Sequence, residues 1–252
     1  MAGKSGHPGL VIGLSDSAST MPAMLIRPTL LGIALLCATA LSHAARPMIT
    51  DDARLTDAGA CQVESWAHLH KDNHEFWALP ACNPGGNFEL TLGGALAYDN
   101  GQARSGALVV QGKTLFKPLE TNGYGVGIAM GYATQPGNGQ SGSPYFYIPV
   151  SFSMADDRVV IHTNIGNLRE RETQTNRMTW GVGTELQTSE RLYVIAETFG
   201  QDKGSAFFQT GLRYWVVPGH VQIDTTYGSR VGNIHDEYWV SIGLRLITPS
   251  LF

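Results

Sequence analysis

Ser151 and His162 are the residues of this chain whose types and spacing could do covalent chemistry. If Ala155 to Arg158 form a four-residue turn between two strands, Ser151 falls opposite His162, and a hydroxyl beside an imidazole is the minimum pair for an activated nucleophile. The same strand parity gathers Glu64, Glu89, Lys113, His162, Glu185, Glu197, Arg213, Asp224 and Arg245 on one face. Mixed charges on a shared face suit a water-filled passage that selects solutes or ion-pair ladders that brace a wall. His68, His70 and His74 form a third cluster, and imidazoles two residues apart share a strand face as metal ligands can. Apart from Glu75 no carboxylate or thiolate stands at ligand spacing, so a solvated hairpin tip is the plainer reading. No metal or cofactor is expected. The chain has no Gly-x-Gly-x-x-Gly opening a helix, no phosphate loop and no catalytic cysteine context.

The elements that must position these residues are short strands. Phe88 to Tyr98 carries Phe88, Leu90, Leu92, Leu96 and Tyr98 on one face and Glu89, Thr91, Gly93, Ala95 and Ala97 on the other. The same alternation runs through 107–117, 124–134, 145–154, 159–168, 177–187, 192–199, 206–216, 221–228 and 238–247. Segments of roughly ten residues with one apolar face are what a bilayer-crossing strand needs, and only a closed barrel satisfies the backbone of such strands in lipid. With a hairpin at 61–81 the count is about twelve; if that hairpin caps the barrel instead, it is ten. Compact turns at 83–87, 118–123, 155–158, 188–191 and 218–220 alternate with longer polar connections at 135–144, 169–176 and 229–237, matching periplasmic turns and outer loops. Aromatic residues on the apolar face gather near strand ends, as interfacial girdles do. The inward run Gly125, Gly127, Ala129, Gly131 and Ala133, with Gly93, Gly181 and Gly183, leaves part of the lumen without bulky groups. That space suits a solute, or the segment 46–59 as a plug, or it reflects glycines that only permit curvature.

Residues 21–44 read as a secretory signal, with Arg27 before the apolar stretch Leu30 to Leu41 and Ser42-His43-Ala44 as a small-x-small cleavage site. Residues 1–20 then form an upstream extension, 45–59 a periplasmic segment or plug, and 60–252 the barrel. Removing residues 1–44 takes away Lys4, Arg27 and Asp16 and leaves a formal charge of about −5, which disfavours nucleic acid as a partner. With Lys71-Asp72 as a two-residue tip, Cys61 falls opposite Cys82, and a cross-strand disulfide is expected in an oxidising periplasm; two free thiols are the alternative. Trp239 to Ile247 and Phe252 resemble the terminal signal read by the outer-membrane assembly machinery, although Pro249 interrupts the strand.

The stretch Arg46-Pro47-Met48-Ile49-Thr50-Asp51-Asp52-Ala53, followed by Gly59-Ala60-Cys61-Gln62-Val63-Glu64, resembles the opening of outer-membrane proteins of the meta-pathway phenol degradation family. Beyond that motif the resemblance extends over the chain only as a barrel pattern, and Cys61 stands where an aromatic or apolar residue is expected. The resemblance implies a transport-like role, for aromatic compounds among other small solutes. The expectation is therefore an all-β antiparallel transmembrane barrel, monomeric and surrounded by outer-membrane lipid, that passes small solutes passively. An outer-membrane lipid-modifying enzyme using Ser151 and His162 is the alternative, and a closed structural or adhesive barrel is a third.

Overall fold

The computed structural model describes residues 48–251 apart from 72, 100–101, 135–141, 171–173 and 235–236. The expected signal segment, the extension before it, Arg46 and Phe252 lie outside the described residues, as does most of the connection 135–144. The elements are β1 (Cys61–His70), β2 (Asn73–Cys82), β3 (Glu89–Asp99), β4 (Gln102–Lys117), β5 (Tyr124–Thr134), β6 (Ser143–Met154), β7 (Val159–Glu170), β8 (Thr175–Gln187), β9 (Leu192–Gln201), β10 (Phe207–Val217), β11 (Val221–Arg230) and β12 (Tyr238–Ile247). Each pairs antiparallel with its sequence neighbours, and β1 closes the ring on β12 from Gln62 opposite Ile247 to His70 opposite Trp239. The first hairpin is therefore wall, and the described residues form twelve strands. Closure removes every sheet edge, the condition for burying these strands in hydrocarbon.

Alternation sets the two faces. Outward positions hold exposed Leu92, Leu96, Met130, Ile165 and Ile242, while inward positions hold buried Glu89, Lys113, His162, Glu185 and Arg245. In water the outer belt would be an apolar surface far larger than a soluble monomer tolerates; against acyl chains it is the contact surface. Phe88, Phe116, Tyr124 and Tyr214 stand exposed toward the short-turn end, and Tyr132, Phe146 and Tyr227 toward the other. These are two interfacial girdles, and Lys117 adds its ammonium over the Tyr124 ring at 4.8 Å.

Three local departures have physical causes. β4 begins at Gln102, earlier than its alternation suggests, because a bulge in β4 sets two of its residues, 105 and 106, against Leu96 of β3 and shifts the register there. Pro149 interrupts the β5–β6 ladder between the pairs Val126–Val150 and Ala129–Tyr147, having no N–H to donate. On both sides of Pro249 the tail stays attached: Thr248 N–H donates to Cys61 O at 2.8 Å and Leu251 N–H to Gly59 O at 2.7 Å. Cys61 and Cys82 are register partners and form the disulfide.

Candidate functional site

The interior divides into two levels. Near the short-turn end the wall is charged. Glu185 accepts from Arg213 Nη1 at 2.6 Å, Arg245 donates to Gln62 Oε1 at 2.8 Å and lies 3.6 Å from Glu64, and Gln222 donates to Asp224 at 3.2 Å. Charges this deeply buried are tolerable only when paired.

Into this level runs the segment 48–58. Glu197 receives the Ile49 and Thr50 N–H groups, one on each oxygen, both at 2.7 Å. Asn164 grips the backbone of Asp51 from both sides, accepting from its N–H at 2.7 Å and donating to its carbonyl at 2.8 Å. The Asp51 carboxylate takes the Tyr147 hydroxyl at 2.6 Å and the Lys113 ammonium at 3.0 Å, and Lys113 also lies 3.4 Å from Asp52. Ala53 N–H donates to Ser151 Oγ at 2.8 Å. Thr56 donates both its N–H and its hydroxyl to Glu89, at 2.8 and 2.5 Å, and Asn83 donates to Thr56 O at 2.6 Å. Strands β3, β4, β6, β7, β8 and β9 all contribute, and Met48, Thr50, Asp52, Ala53 and Thr56 are buried.

Two glycines make room for it. A Cβ at Gly183 would come within 2.3 Å of Met48 Cε, and one at Gly181 within 2.5 Å of Thr50 Oγ1. The other inward glycines do not open the lumen: a Cβ at Gly131 would meet the Tyr145 ring at 2.3 Å, and at Gly127 the Leu115 side chain at 2.8 Å. Neighbouring side chains therefore occupy the side that alternation alone suggests is empty. Below the segment a cavity of about 650 Å³ opens at the short-turn mouth, lined by Arg54, Asp57, Asp156, Asp157, Glu190 and Trp215 among others.

Ser151 and His162 are register partners, with Oγ 2.8 Å from Nδ1. Glu185, which the sequence did not single out as their partner, lies 3.3 Å from His162 Nε2 without hydrogen-bond alignment. Ser151 Oγ accepts from Ala53 N–H and keeps one lone pair and its own proton for Nδ1, so either tautomer of His162 satisfies the pair. Both Ser151 (0 % exposed) and His162 (1 %) are sealed beneath the segment. The histidines at the first hairpin separate: His68 and His70 face inward, their rings 4.6 Å apart, while the parity of β2 turns His74 outward beside Phe76.

Toward the long-loop end the lining is aromatic. Trp66 and Trp77 stack with centroids 5.5 Å apart, Tyr145 and Tyr147 at 6.4 Å, and Trp239 joins His68 at 5.2 Å and Phe207 at 5.9 Å. Trp66, Trp77, Tyr145 and Tyr147 are only half-buried. Sequence reading named the inward charges but missed Asp51, Asp52, Tyr147 and Asn164 as their partners. Inward parity of Tyr147 and Asn164 was the available signal.

A closed antiparallel barrel with an apolar belt, two aromatic girdles and a polar interior is an outer-membrane β-barrel. The chain belongs to the family described as Uncharacterised conserved protein UCP029691, whose model matches residues 32–247. Its fold is similar to that of the KdgM porin in complex with disordered oligogalacturonate, with 10% identity, a TM-score of 0.57, and 73% of this chain and 98% of that one covered. It is likewise similar to the NanC porin, with 9% identity, a TM-score of 0.55, and 76% and 100% covered. Identities this low concern the fold alone. No curated protein matches the sequence.

Proposed function

We propose that this barrel is a gated channel that passes small solutes down their concentration gradient across the outer membrane, with residues 48–58 as the gate. The observation that carries the reading is the chemistry of the docked segment. It is held chiefly by hydrogen bonds and ion pairs between its backbone or acidic side chains and polar wall residues, such as the paired bonds of Glu197 at 2.7 Å. Water can replace such bonds at modest net cost, about 1 kcal/mol each and about 1.5 to 3 kcal/mol where the acceptor is charged, whereas withdrawing an apolar core segment would leave a void. A polar lumen therefore accommodates both a docked and a released segment. The similarity of Arg46 to Ala53 to the meta-pathway phenol degradation family, together with the aromatic outer lumen, supports small aromatic solutes. A ring without free edges supports a monomer in lipid.

The enzyme reading gains a third group in Glu185 but loses access. Ser151 Oγ accepts the Ala53 N–H and lies sealed, so no acyl carbon can approach it while the segment is docked. Ser151 and His162 serve instead to seat the Ala53 backbone. Purified protein in planar bilayers and in liposomes tests the channel: step-like conductance and solute uptake are expected, and silence in both would refute it.

A further inference from the structure

We infer that the solutes this channel accepts are small organic cations, a positively charged nitrogen on an aromatic or otherwise apolar body. The inference rests on the channel reading and adds the chemical class. Two independent observations converge on it.

The first is charge. Among the buried wall residues, Glu64, Glu89, Glu185, Glu197 and Asp224 outnumber Lys113, Arg213 and Arg245. The docked segment adds Asp51 and Asp52 against Arg54, so the excess is negative whether the segment is in or out. The short-turn cavity repeats the bias, with Asp57, Asp156, Asp157 and Glu190 against Arg54. Low-dielectric walls concentrate the field of such an excess along the lumen, and carboxylate-lined constrictions pass cations.

The second is the aromatic level, which a solute entering from the long-loop end meets before the charges. The stacked Trp66–Trp77 pair is half-buried on inward positions, so part of its ring surface faces the lumen. The tryptophan platform has a wall carboxylate fixed at its margin: Glu75 accepts from Trp77 Nε1 at 2.9 Å. Ring faces attract cations; with a carboxylate alongside, an ammonium gains from both and a carboxylate guest is repelled by both.

Calorimetric titration of the full chain in detergent with benzyltrimethylammonium and with benzoate compares two aromatic guests of opposite charge. Saturable binding of the ammonium at least about 10-fold tighter than benzoate is expected, weakened by Trp66→Leu and, as a milder variant, by Glu75→Gln. Equal or tighter benzoate binding, or no saturable binding of either, overturns the inference. In a variant lacking residues 48–57, the reversal potential under a potassium chloride gradient should show cation preference; an anion-directed potential overturns it as well. Loss of conduction in every variant would sink the channel reading, while the titration would still decide the class of guest.

Discussion

Replacing Glu197 by Gln tests the gate at its tightest grip. In the structure each carboxylate oxygen receives one backbone N–H from the segment at 2.7 Å, and Gln209 donates to the same group. Glutamine keeps the shape but turns one acceptor into a donor, so one of the two N–H groups faces another N–H. A hydrogen bond to a charged acceptor contributes about 1.5 to 3 kcal/mol, and Glu197 is buried at 5 % exposure, so water does not replace the lost partner in the docked state. Docking of the segment should weaken by about 2 to 3 kcal/mol, raising the undocked population roughly 30- to 150-fold. Single-channel recording reads this directly as open probability, and the gel shift between folded and heat-unfolded barrel verifies that the wall is intact. An open probability within about threefold of the unmodified protein, from a folded barrel, would refute the assignment of residues 48–58 as the gate.

Three other perturbations probe separate parts of the account. Gly183→Val places a branched side chain where Met48 Cε lies 2.3 Å from the Cβ position; the barrel should fold, the segment should be displaced, and trypsin should cut after Arg54, whereas continued protection of Arg54 argues against the packing described. Arg213→Met strips Glu185 of its partner at 2.6 Å and should lower stability in urea by about 3 to 5 kcal/mol, with much of the loss recovered by adding Glu185→Gln; a single variant as stable as the parent contradicts the pairing. Cys61→Ser with Cys82→Ser should lower stability by about 3 kcal/mol, matched by adding reductant to the unmodified protein, and a reductant without effect on unfolding excludes a structural role for the bridge.

Most of the wall was legible because period two is a strong, local signal. A two-residue tip placed Cys61 opposite Cys82, and a four-residue turn placed Ser151 opposite His162, since hairpin register follows from loop length. What alternation could not reveal lies across the lumen. Glu197 binds Thr50 from 147 positions away, and no local period encodes which inward group meets a segment that enters the barrel. Glu185 reaches His162 diagonally, because the register partner of His162 is Gly183. The inward glycines read as a uniform cleft, yet Tyr145 and Leu115 fill part of it from neighbouring strands, while Gly181 and Gly183 receive the segment. Parity assigns faces; it does not say how far a side chain reaches along a face.

The most direct measurement of the gate is a reversible lock. The Thr50 Cβ lies 3.5 Å from the position a Cβ would occupy at Gly183, at the short end of the separation that a disulfide spans. Thr50→Cys with Gly183→Cys and Met48→Ala, the last removing the Cε that would meet the new Cβ at 2.3 Å, in a background with Cys61 and Cys82 replaced by Ser, should give a barrel that is silent in planar bilayers when oxidised and conducts when reduced. Equal conductance in the two states, with the cross-link confirmed by mass, would contradict a channel gated by its N-terminal segment.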